Sequence, residues 1–407
     1  MTVMKKVKRI FNRMKKLKLI ALVFCVFNLC AVYAADPNAK SPFNPLIVGV
    51  PSLTIAPDAR GGGMGDIGGA TDPDLYSQYW NPAKYAFAYS KAGLGLSYTP
   101  WLRNLVDDID LVYVAGYYKL GDEDRQAIGA SIRYFSLGEI ALTRGPDDTN
   151  PPVSNPYEMS VDLSYSLKFS EKFSGAVAFR YIRSDLGAGS NQLEDGTVPG
   201  NAFAADIAGY FNSYVMAGNS ECLFGLGFNI SNIGTKISYD GGTNNNFIPT
   251  NLRIGSSFLL PLDDYNTLSF NIDANKYLIP TRPDTEGMTD TEKQDAINAY
   301  NDIGSIEGIF KSFTDAPGGA KEEWEEIMWS FGAEYAYNNQ FFVRGGYFYE
   351  SPNKGNRQYF SLGAGFKLSS FQLDAAYLIS TVPNNPLDQT LRFSLSFDMD
   401  GLKNLMK

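Results

Sequence analysis

The sequence predicts an all-β protein: a 14-stranded antiparallel transmembrane β-barrel of the outer membrane, preceded by an N-terminal hatch or plug segment. Three observations predict it. Apolar and polar residues alternate with a period of two from about Ser90 to Met399. The alternating runs are long, and the connections between them switch regularly between short and long. Successive strand side chains point to opposite faces, so such runs are strands with one apolar and one polar face.

The first 34 residues read as a secretory signal peptide. Lys5, Lys6, Lys8, Arg9, Arg13, Lys15, Lys16 and Lys18 precede an apolar run from Leu19 to Val32, and Val32-Tyr33-Ala34 suits cleavage after Ala34. The run is short for a bilayer about 30 Å thick. Phe24 and Leu29 precede Cys25 and Cys30 where a lipoprotein signal needs a small residue. Removing the eight basic residues of this segment from 35 leaves 27 against 44 acidic ones, a balance of −17. That charge excludes nucleic acid as a partner class.

Cys222 is then the only cysteine, so no internal disulfide is possible. The chain has no histidine, which removes Ser-His-Asp and Cys-His catalysis and histidine-ligated metals. No enzyme activity and no cofactor is expected.

Residues 35–89 show little alternation and are expected to form the hatch. Within them, Gly63-Met64-Gly65-Asp66-Ile67-Gly68 spells G-x-G-x-x-G. A dinucleotide site needs that turn between a strand and a helix in a βαβ unit. Here Pro51 and Pro57 precede it, Pro73 follows, and nothing downstream has a parallel-strand pattern. Gly61, Gly62, Gly63, Gly65, Gly68 and Gly69 instead let the backbone turn tightly and lie close to other backbone. A barrel of this size leaves a lumen to be filled, and the segment is expected to fold inside or under it.

The barrel domain spans 90–400. Its strands are expected near 91–99, 109–119, 126–137, 157–169, 172–184, 201–214, 221–232, 250–260, 266–276, 327–337, 341–349, 357–368, 371–379 and 389–399. Strands of about ten tilted residues suit an apolar band roughly 25 Å tall. Short links near 120–125, 170–171, 215–220, 261–265, 338–340 and 369–370 alternate with longer ones. Outer-membrane barrels have short periplasmic turns and long outside loops, so this phase puts both ends of the mature chain in the periplasm or lumen. A lipid-facing charge is costly, which assigns Asp162, Lys168, Arg180, Arg253, Asp273, Asp374 and Arg392 to the lumen. Tyr98, Tyr113, Tyr117, Tyr181, Tyr335, Tyr347 and Tyr377 are expected in an interfacial girdle. The stretches 107–110 and 121–125 lack calcium-loop spacing.

The longest outside connection, about 277–326, is too long for an idle link. Thr289 and Glu292 have capping-box spacing, and Ile306, Ile309, Phe310 and Phe313 fall on one helical stripe. Residues 278–326 hold 12 acidic and 4 basic residues, net −8. The stripe, with Trp324, either packs on the rim as a lid or is a docking surface for a protein partner. Residues 401–407 are expected to be a periplasmic tail.

The glycine-rich stretch ending Tyr79-Trp80-Asn81-Pro82-Ala83 resembles the FadL family of 14-stranded barrels, which carry a hatch with an Asn-Pro-Ala motif. More narrowly, "APDARGGGMGD", "GATDPD" and "SQYWNPAKYAF" are similar to the PorV (LptO) family, the barrel subunits of the type IX secretion system of Bacteroidota. The resemblance implies a non-enzymatic shuttle in the outer membrane. Its implied partners are a large translocon barrel, the C-terminal signal domains of secreted cargo, and a sortase-like complex that attaches cargo to lipopolysaccharide. It implies hatch roles for Gly61, Gly62, Gly63, Gly65, Trp80, Asn81 and Pro82. FadL relatives instead pass fatty acids or other hydrophobic compounds, which is the alternative reading.

Overall fold

The computed structural model describes residues 44–399 except 104, 122, 142–150, 152, 188–197, 219, 243, 284, 286 and 384. The expected signal peptide, the tail at 401–407 and most of the 185–200 loop lie outside the described residues.

Fourteen strands close into one antiparallel barrel. They are β1 (Ala92–Pro100), β2 (Ile109–Leu120), β3 (Gln126–Leu137), β4 (Tyr157–Ser170) and β5 (Phe173–Asp185). Then come β6 (Gly200–Ala217), β7 (Ser220–Gly234), β8 (Asn251–Pro261), β9 (Asn266–Tyr277) and β10 (Met328–Tyr337). The last are β11 (Phe341–Tyr349), β12 (Gln358–Leu368), β13 (Phe371–Ser380) and β14 (Leu391–Asp398). Each pairs with its sequence neighbours, and β1 closes on β14 from Gly93↔Asp398 to Tyr98↔Phe393. The 138–156 connection also holds a small unforeseen hairpin, Ile140–Ala141 with Val153–Ser154.

Burial along the strands is inverted relative to a soluble protein. In β4, Leu163 is 64% exposed, while Ser160, Asp162, Ser164 and Ser166 on the other face are buried. A greasy exterior around a polar interior is stable only where lipid meets the outer face. Asp162, Arg180, Arg253, Asp273, Asp374 and Arg392 are all buried in the interior. Lys168 also turns inward, over the Phe87 ring.

Tyr98, Tyr335 and Tyr377 lie exposed on the outer face, but Tyr113 and Tyr117 do not. Tyr113 packs with Tyr76 and Trp80, and Tyr117 stacks on Tyr85 at 4.8 Å. In "LVYVAGYY" both parities of β2 are apolar, so residue type does not identify the inner face. The inner segment, whose rings these tyrosines contact, does.

That inner segment occupies the barrel. It starts at the long-loop mouth, where the Asn44 N–H donates to the Asn353 carbonyl and the Gly49 N–H to that of Phe247. It passes through a 3-10 turn (Pro51–Thr54), α1 (Ala59–Gly62), α2 (Ser77–Trp80) and a second 3-10 turn (Pro82–Phe87). It leaves near Lys119, whose ammonium donates to the Ala88 carbonyl at the short-turn mouth. Asn44 therefore lies at the long-loop mouth and Asp398, paired with Gly93, at the short-turn mouth, and the two ends of the mature chain lie outside the described residues.

Candidate functional site

Two features stand out: the packing of the inner segment against the wall, and the helices of the long loop. Asp58 caps α1, accepting from the Gly61 N–H at 2.8 Å, and its other oxygen accepts from the Trp80 indole at 2.6 Å. The indole lies on glycine backbone. A Cβ on Gly61 would meet the ring at 2.4 Å and one on Gly68 at 2.2 Å. Gly63 similarly faces Gly363 of β12, so that a Cβ would come within 3.0 Å of its Cα. The G-x-G-x-x-G spelling thus serves backbone contact and follows no strand. Asn81 holds two carbonyls, those of Gly69 at 2.9 Å and Gly209 of β6 at 3.0 Å, and caps the turn that Pro82 opens.

Charged groups lock the segment to strands on several sides. Arg60 bridges Asp74 at 2.9 Å and Glu334 of β10 at 3.0 Å. Arg344 of β11 shares Glu334 and reaches Asp374 of β13 at 2.6 Å. Asp66 pairs with Arg392 of β14 and accepts from the Tyr359 hydroxyl at 2.6 Å. One Asp273 oxygen accepts from the Gly68 and Gly69 N–H groups, while Arg253 pairs with Asp273 and covers the Trp80 ring. Every expected luminal carboxylate has an arginine partner. Asp58, Arg60, Asp66, Glu334 and Arg344 escaped the sequence reading, although the last two sit at the inward parity of their strands.

Two cavities flank this layer. One of about 60 Å³ lies toward the long loops, lined by Tyr79, Tyr113, Arg133 and Arg357 among others. The other, about 600 Å³, opens toward the short turns beside Tyr89, Tyr210 and Tyr214.

The long loop folds into α3 (Asp290–Asp302), α4 (Ser305–Lys311) and α5 (Ala320–Glu325). Thr289 and Glu292 form the expected capping box on α3. Tyr300 of α3 meets Phe247 edge-on and donates to the Pro280 carbonyl. Gly308 of α4 packs on the same two residues, leaving no room for a side chain. This orientation turns the apolar stripe outward. Ile306 is 57%, Phe310 73% and Phe313 46% exposed, Ile309 is half-buried, and the Phe313 ring lies under the Lys276 ammonium at 6.0 Å. Trp324 is separate from them. Its ring lies 6.2 Å from Trp329, which stacks on Phe331 along the outer wall of β10.

A buried ion cluster anchors α5. Lys276 pairs with Glu323 at 3.0 Å and with Glu326, and Lys354 pairs with Glu322 and, at 3.0 Å, with Glu326. Burial opposes ionisation of Glu322, but its hydrogen bond from Lys354 holds the carboxyl below its usual range. Asp315 accepts from the Thr281 N–H at 2.9 Å, and its pKa is pushed up to about 6, chiefly by burial and then by Glu323 and Glu326.

Several solved barrels are similar to this chain. The toluene transporter TodX of P. putida shares 11% identity over 84% of this chain and 97% of its own, at a TM-score of 0.48. The toluene transporter TbuX of Ralstonia pickettii shares 14% over 84% and 96%, at 0.42. A Pseudomonas aeruginosa FadL homologue shares 12% over 84% and 98%, also at 0.42. No curated protein sequence matches. Residues 38–284, more than half of the sequence, match the family described as type IX secretion system protein PorV, and the chain belongs to that family.

Proposed function

We propose that this barrel is the outer-membrane carrier subunit of a type IX secretion system. It binds the folded C-terminal signal domain of a secreted cargo at its long-loop, extracellular mouth. It receives cargo from the translocon barrel and delivers it to the sortase-like complex that attaches it to lipopolysaccharide. The observation that carries this reading is α4, which buries Gly308 and presents Ile306, Phe310 and Phe313 to water. Exposed apolar clusters away from lipid mark interaction surfaces. The inner segment, acting as a plug, makes the mouth rather than the lumen the place where cargo is met. Trp324 serves the lipid interface or a neighbouring barrel.

Tagged protein purified from native outer membranes in mild detergent tests this. Co-purification of a large barrel and of exported proteins sharing a C-terminal domain, lost on deleting 285–320, is the expected result. A barrel that comes out alone with bound fatty acid or another apolar ligand overturns it in favour of hydrophobic transport.

A further inference from the structure

We infer that the surface recognised by the long loop is an apolar patch edged with lysine and arginine, and that the loop divides its work between an aromatic anchor and an acidic steering helix. The inference rests on the cargo-binding reading above and specifies the chemistry of the bound domain.

The two helices form one surface. Both α3 and α4 sit on Phe247 and Pro280, and only Ile303 and Gly304 separate them, so the carboxylates of α3 border the stripe of α4. No residue of α3 is buried. Asp290, Asp295 and Asp302 are exposed, and among the described residues no lysine or arginine forms an ion pair with them. The carboxylates of α5 differ, since Lys276 and Lys354 neutralise them. Carboxylates in the same loop thus serve different purposes: Glu292 caps α3, Glu322 and Glu323 of α5 are neutralised, and Asp290 and Asp295 form no ion pair among the described residues.

Asp302 ends α3, where the last turn holds no basic residue of its own. A negative charge there opposes the helix dipole, and among the described residues only the Lys236 ammonium from the β7–β8 connection, which donates to the Asn301 carbonyl at 2.8 Å and is attracted by Asp302, offsets it. A field of one sign beside an exposed aromatic cluster speeds encounter with an oppositely charged partner and repels like-charged surfaces. Lipopolysaccharide is anionic, so this field disfavours insertion of the stripe into the lipid leaflet. A cation-edged protein surface satisfies both halves.

The test uses the full-length barrel in nanodiscs and a purified C-terminal signal domain of a cargo that co-purifies with it. Binding kinetics are followed at 50 and 500 mM NaCl. The association rate is expected to fall roughly 10-fold over that range, because the Debye length drops well below 10 Å. The double variant D295K/D302K is expected to lower the association rate about 5–10-fold at low salt, with dissociation little changed. F310A is expected to raise the dissociation rate about 10-fold or more, with little effect on association. Circular dichroism of both variants checks that the barrel is folded. Binding that is tight but independent of salt and of D295K/D302K overturns the inference and leaves the carrier reading standing. Absence of any signal-domain binding by the wild-type barrel sinks both. Equal capture of the loop by lipopolysaccharide vesicles also counts against the acidic steering role.

Discussion

The Asp58 carboxylate and the Trp80 indole, 2.6 Å apart, tie the first helix of the inner segment to the second. Neither residue has room elsewhere: both are buried, and glycines lie against the ring. Gly68→Val is expected to destabilise the folded barrel by about 2–3 kcal/mol through overpacking, and Trp80→Ala by about 3–5 kcal/mol through a cavity. Thermal unfolding in detergent, followed by heat-modifiable gel mobility, measures both. Unchanged mobility curves for both variants would contradict the packing described.

Glu334 neutralises two arginines, Arg60 of the inner segment and Arg344 of the wall. Glu334→Gln leaves Arg60 with Asp74 and Arg344 with Asp374 as their remaining carboxylates, at a cost of about 1.5–3 kcal/mol. In planar bilayers the wild-type barrel is expected to be closed, and this variant to show intermittent openings as the segment loosens. A wild-type barrel that conducts steadily would show that the inner segment is no seal.

Asp315 gives the loop a pH dependence of known sign. Its folded pKa, about 6, is raised above the ordinary 3.8, so protonation favours the packed loop. That contribution is complete below about pH 4 and lost as pH rises through about 6. Hydrogen exchange of residues 281–316, corrected for intrinsic rates, is expected to quicken between pH 5 and 7 in the wild type. Asp315→Asn keeps an acceptor for the Thr281 N–H and should flatten that rise.

Lys354 anchors α5 to the β11–β12 connection through Glu322 and Glu326. Lys354→Met leaves buried Glu322 with no cation and Glu326 with Lys276 alone, which costs the loop about 3 kcal/mol or more locally. Limited proteolysis should then cut within 285–320 while the strands stay intact. Resistance equal to wild type would show that the cluster does not hold the loop.

Phe310→Ser separates binding from folding. The side chain is exposed, so unfolding stability should move by less than about 0.5 kcal/mol. Co-purification of cargo should nonetheless drop several-fold, as measured by quantitative proteomics of tagged barrel.

Strand positions, the inward charges and the α3 capping box were legible from residue order. Each follows from local rules: a period of two, the cost of charge in lipid, and a four-residue cap. Arg180 and Asp374 had only one tolerable side of the wall to occupy. Tyrosine is at home on either face, so Tyr113 and Tyr117 followed the rings of the inner segment. The direction of α4 was likewise beyond local pattern. A helical stripe normally turns toward the core, but Phe247 and Pro280 leave space only for Gly308. Which arginine meets which carboxylate, and the separation of Trp324 from Phe310, depend on strands far apart in sequence. Alternation and capping act over a few residues and survive in the one-dimensional chain. Partner choice and helix facing are set by whatever surface the closed barrel brings opposite, and that exists only after closure.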